Sequence, residues 1–80
     1  MAAGINGSIQ ILRMRHVTAQ LGISRSAVYD WMDPKSPRYD STFPKPIRLG
    51  RASIGWLATD IEGFIGSRIA RRDSQEMLVL

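Results

Sequence analysis

Two short amphipathic segments meet at a glycine, and that junction constrains the fold of this chain more than any other feature. In the first segment Met14, Val17 and Leu21 recur at spacings of three and four, so they share one face of a helix. Gly22 follows. Glycine adopts, at no steric cost, the left-handed backbone that often closes a helix. Ile23 is an apolar plug, and the hydroxyl of Ser24 suits the amide left without a partner at the start of the next helix. That second helix is expected over Arg25–Met32, with Val28, Trp31 and Met32 inward. Two helices around a three-residue, glycine-containing turn have the helix-turn-helix layout. The second is only about two turns long and would not hold alone, so its inner face must be packed. Arg25, Ser26, Tyr29 and Asp30 then face outward. An ordinary helical hairpin with a solvated face has the same pattern, so the junction alone leaves function open.

The next segment is punctuated by proline. Asp33 to Ser41, with Pro34 and Pro37, reads as a loop in which Asp33 and Asp40 are turn residues. Phe43-Pro44-Lys45-Pro46 fixes an extended backbone. Ile47 to Trp56 reads as a β-hairpin. If Ile47 and Leu49 share the inner face with Ala52, Ile54 and Trp56, the loop must hold an even number of residues. Gly50-Arg51 alone, or Gly50 to Ser53, satisfies this. Either choice puts Arg51 at the tip and points Arg48 away from the core. Lys45, Arg48 and Arg51 then make a basic outer edge. The plainer account is that edge strands carry such charges against aggregation.

A last helix is expected from about Asp60 to Arg71, with Thr59 and Glu62 as a capping pair and Ile61, Phe64, Ile65 and Ile69 as its apolar stripe. Gly63 and Gly66 weaken it by about 1 kcal/mol each relative to alanine. Ile9 to Met14 is a strand or the lead-in to a helix. The domain is expected over residues 11–72, with a flexible arm over 1–10 and a tail over 73–80 that ends in an apolar run. That run packs back on the domain or meets a partner.

The chain has 80 residues, enough for one small domain, and no cysteine, which removes disulfides and thiolate metal sites. The lone His16 cannot make a metal site and reads as a helix-surface residue. No nucleophile has a matched base and no glycine-rich phosphate loop is present, so catalysis has no support and no cofactor is expected. No apolar run is long enough to span a membrane and no secretory leader is apparent, so a cytoplasmic, nucleoid-associated protein is expected. All eleven basic residues lie between Ile11 and Arg72, with five of the seven acidic ones. Such a balance suits a polyanionic partner.

The two signals together point to a mainly α fold with a small β-hairpin, a winged helix-turn-helix, and to double-stranded DNA as partner. In this reading Ser24, Arg25, Arg48 and Arg51 hold phosphates, while Arg25, Ser26, Tyr29 and Asp30 test base edges; Lys45 and Gly50 belong to the wing. Trp31 and Trp56, on inner faces, read as core.

The runs Ile11-Leu12-Arg13-Met14, Val17, Leu21 to Tyr29, Phe43 to Gly50, Gly55-Trp56 and Ile61 to Ile65 together resemble the AlpA family of prophage regulators, which belong with excisionase-like and MerR-like winged helix-turn-helix proteins. The resemblance covers about Ile11 to Arg72. It implies DNA binding by the helix bearing Arg25, Ser26 and Tyr29, with the hairpin around Arg48–Arg51 as the wing. It also implies a role in transcription of mobile-element genes or in assisting a phage integrase during excision. Self-association on DNA would add to the limited area one module buries. A protein-binding adaptor, using the apolar tail, is the alternative from another class.

Overall fold

The computed structural model describes residues 9–79, with side chains through residue 75. The fold is mainly helical with a small antiparallel sheet. In order the elements are β1 (Ile11–Leu12), α1 (Met14–Leu21), α2 (Arg25–Met32), β2 (Ile47–Arg48), β3 (Ile54–Leu57) and α3 (Ala58–Val79). Residues 1–8 of the expected arm over 1–10 lie outside the described residues, as do Leu80 and the side chains of the apolar run that ends the expected tail.

The helical junction forms as its sequence dictates. Met14 and Val17 are buried under α1, and Gly22 closes that helix with φ +66°. Gly22 N–H donates to the Thr18 carbonyl at 2.8 Å and Ile23 N–H to the same oxygen at 3.2 Å. Ser24 Oγ accepts from the Ala27 amide at 3.1 Å, capping α2. Val28 is fully buried, and Trp31 and Met32 pack against the core from its edge.

The sheet departs from the expected hairpin in both size and register. Ile9 to Met14 resolves into a strand followed by the start of α1. β1 pairs with β3, giving three strands in the order β1-β3-β2. Ile47 lies opposite Gly55, and Arg48 opposite Ile54. The amides of Leu49 and Gly50 both donate to the Ser53 carbonyl, at 2.8 and 3.3 Å. The turn therefore spans three residues, 50–52, so the even-numbered loop is wrong, and the faces exchange. Arg48 shares the core-side face with Leu12, Ile54 and Trp56, whereas Ile47 and Leu49 take the opposite face and stay partly exposed.

Gly55 explains this choice. A Cβ there would lie 2.6 Å from Ile11 Cγ2 and 3.0 Å from Leu49 Cδ1. Ile11 and Leu49 converge over the bare glycine, so the outer face of the sheet has an apolar cover of its own. The parity argument failed because it allowed apolar residues on one face only.

The core lies between the other face and the helices. Phe43 sits at its centre, with ring centroids 5.5 Å from Trp31, 6.2 Å from Trp56 and 5.2 Å from Phe64, mostly edge to face. Trp56, fully buried, satisfies its indole N–H on the Pro44 carbonyl at 3.1 Å. Both tryptophans are thus packing residues. The proline segment serves to deliver Phe43 into this cluster.

α3 begins directly after β3, at Ala58, and continues to Val79. The expected start near Asp60 with a Thr59–Glu62 capping pair, and the expected end near Arg71, are both corrected. Ile61 and Phe64 are buried and Ile65 is half-buried, but Ile69 is 45 % exposed, so the stripe leaves the core one turn early.

Candidate nucleic-acid interface

Arg25 and Tyr29 project from α2 into solvent and line an open cleft of about 380 Å³. Ala52 and Ile54 of the hairpin, and Arg13, Met14 and Arg15 at the start of α1, line the same cleft. The outward face of α2 and one side of the hairpin thus border a single surface. Ser24 and Ser26 are exposed at the start of the same helix, with the Ser24 hydroxyl engaged in the cap.

The remaining candidates divide. Asp30 was expected to face outward and test a base edge. It lies instead 3.4 Å from the Arg38 guanidinium, toward the proline loop. Arg48 was expected to point away from the core. It sits on the core-side face, exposed beyond it, and its Nη1 donates to the Arg51 carbonyl at 3.2 Å, bracing the turn. Arg51 is exposed in that turn, next to Gly50. Lys45 borders a different cleft, with Trp31, Met32 and Tyr39, and is not brought to the Arg25–Tyr29 surface.

Arg13 and Arg15 are the residues that sequence reasoning missed. A signal was available: with Met14 buried at the start of α1, its two neighbours must turn outward. Arg13 Nε donates to the Ile54 carbonyl at 3.1 Å, tying the beginning of α1 to β3. Its backbone is held as well, because its N–H donates to His16 Nδ1 at 3.1 Å. His16 is thus exposed, as expected, and also caps the helix.

Charge is organised outside this cleft too. Asp40 accepts from the Thr42 hydroxyl and from the Thr42 amide at 2.9 Å, and it pairs with Arg68. The Thr42 hydroxyl is the main reason its carboxyl is held below the ordinary value; the Thr42 amide, Arg68 and Arg71 add to this, and partial burial opposes it. Asp33 accepts from the Lys35 amide at 2.9 Å. Both aspartates are turn residues, as their sequence positions imply. Among the described residues no three metal-ligating side chains cluster, and no helix is long and apolar enough to cross a membrane.

A profile of the prophage CP4-57 regulatory protein (AlpA) matches residues 10–69. The chain belongs to the AlpA family of prophage regulators. Within it, a protein of Escherichia coli K12 named DNA-binding transcriptional activator AlpA is 44 % identical over 61 residues, covering 76 % of this chain and 87 % of the relative. No solved structure matches the chain significantly. The matched span runs from the residue before β1 into α3, and so includes every residue that lines the Arg25–Tyr29 cleft.

Proposed function

We propose that this chain is a sequence-specific, double-stranded-DNA-binding regulator of prophage or mobile-element transcription, acting in the cytoplasm as a winged helix-turn-helix. The observation that carries the reading is the shared cleft. Arg25 and Tyr29 of α2 open onto the same surface as Ala52 and Ile54 of the hairpin, so one duplex can touch both. α2 enters the major groove, which admits a helix. Arg25, Ser26 and Tyr29 reach base edges, and Ser24, Arg48 and Arg51 meet the backbone. Arg25 either tests a guanine or holds a phosphate in any one pose. Asp30, turned toward Arg38, and Lys45, on another cleft, have lesser parts. The name of the E. coli relative supports both DNA binding and transcription as the output.

Selection of bound duplexes from a random pool at fixed salt tests the proposal. The expected result is enrichment of one site, with an affinity that falls linearly in log salt by about 0.9 per neutralised phosphate. Equal recovery of all sequences would remove the base-reading role, and no affinity near physiological salt would remove the function.

A further inference from the structure

We propose that Arg13, Arg15 and Arg25 form one seat for a single backbone phosphate, at the seam of α1, α2 and the hairpin. We further propose that Arg13 couples occupancy of that seat to the position of the hairpin. The inference rests on the duplex-binding reading and adds to it the ligand group and the residues that take it.

Three observations converge. First, the three arginines line one cleft, and among the described residues none of them has a carboxylate within salt-bridge distance. Second, both helices that open here begin with the wrong charge. The N-terminal end of a helix carries partial positive charge and favours Asp or Glu. α1 starts with Arg15 in its first turn and Arg13 as its cap, α2 starts with Arg25, and neither first turn holds an acidic residue. An anion in the cleft supplies the negative charge that both helix ends lack. Third, Arg13 is fixed before any ligand arrives. Its backbone is bonded to His16 and its Nε to the Ile54 carbonyl, across 41 residues of sequence. Guanidinium has five N–H donors in a planar fork. With one spent on Ile54, the others remain for an oxyanion, and phosphate oxygens match that fork. A phosphate held there is bound by the recognition helix and, through Arg13, by the hairpin strand.

The test uses the full chain and its selected duplex, with single phosphates replaced in turn by neutral methylphosphonates. One position is expected to weaken the wild type about tenfold. The same replacement should cost Arg13→Ala, Arg15→Ala and Arg25→Ala less than it costs the wild type, and should cost nothing further when all three are replaced together, while Arg51→Ala keeps the full sensitivity there. Reduced sensitivity at different positions in the three single variants would overturn the single seat. Arg13→Lys retains the charge but not the planar fork: its donors all sit on one nitrogen, so the bond to Ile54 and a two-point hold on the phosphate are not kept together. It should preserve the salt slope yet lose the hairpin's protection of the duplex in a hydroxyl-radical footprint; an intact footprint would overturn the coupling. Arg15 and Arg25 make no side-chain hydrogen bond among the described residues, so their variants carry the test if Arg13→Ala fails to fold.

A second arm uses inorganic phosphate, which should raise the melting temperature above that in chloride of equal ionic strength, in the wild type but not in Arg25→Ala. Stabilisation by phosphate without duplex affinity would keep the seat and remove the duplex reading. Duplex affinity without a shared phosphate position, and without stabilisation by phosphate, would do the reverse.

Discussion

The arginines on the two sides of this molecule differ in what they touch. On the side of the proline loop and α3, Arg38, Arg68 and Arg72 each meet an aspartate, and Arg68 also lies over the Phe64 ring at 4.8 Å from its centroid. On the side of the cleft and hairpin, Arg13 and Arg48 donate only to backbone carbonyls, and Arg15, Arg25 and Arg51 make no side-chain bond among the described residues. The difference shows how a modest excess of positive charge becomes a directed field. Three aspartates are consumed on one side, so the other keeps its cations unneutralised. Exposed pairs add little to stability, about 0–1 kcal/mol each. On this view the pairing matters chiefly for where it leaves charge uncancelled.

The largest test of that division removes what both sides stand on. Phe43→Ala takes away the ring that joins Trp31, Trp56 and Phe64, and should cost about 3–5 kcal/mol in urea unfolding. If stability survives, the two sides do not share one core.

Substitutions on the cleft side should change which site is bound. Tyr29→Phe or Ser26→Ala should alter the preferred sequence in a selection, by about 1–3 kcal/mol between competing bases. A uniform fall in affinity would move these residues from reading to positioning.

The sharpest contrast sets Arg51→Ala against Arg68→Ala. Losing Arg51 should weaken all duplexes, lower the salt slope by about one unit and leave the melting temperature unchanged. Losing Arg68 should cost about 1–2 kcal/mol of stability, through its aspartate and its aromatic ring, and leave the slope alone. Exchange of these outcomes would erase the distinction between the sides.

The smallest effect is in acid. The carboxyl of Asp40 titrates lower in the folded chain than its ordinary value of 3.8. The unfolded chain therefore binds the extra proton first as pH drops. The stabilisation is complete above 3.8 and is lost as pH falls through the folded value. Asp40→Asn should flatten the dependence of stability on pH in that window, and leave the pH dependence of duplex binding near neutrality as it was.

The two helices, the Gly22 turn and the Ser24 cap were legible because each is a local matter: spacing, a left-handed residue, a hydroxyl in reach. The buried tryptophans followed from the same periodicity. The hairpin register was not legible, because it depends on Ile11, some forty residues away in sequence, closing over Gly55. A glycine inside a strand pattern signals close approach of another group, but not which group approaches. The end of α3 was misjudged because the apolar stripe fades after Ile65 while the helical backbone continues. In the cleft, Arg25 and Tyr29 could be placed from α2 alone. The burial of Met14 turns Arg13 outward, but no local pattern announces its bond to the Ile54 carbonyl, nor the approach of Arg38 to Asp30 from a loop.

The connector after α2 closes on itself. Asp40 N–H returns to the Trp31 carbonyl at 3.0 Å, and one turn, closed by the Phe43 N–H on the Asp40 carbonyl at 3.1 Å, then leads to Phe43. Residues 33–39 are therefore a detour that departs from and rejoins the framework at nearly one spot, much like a siding on a railway line. A longer or shorter detour would leave the aromatic cluster and the hairpin where they are. Length variation at this place is thus uncoupled from the geometry of the cleft, and the segment can be remodelled, or carry an added peptide, without resetting the distance between α2 and the hairpin.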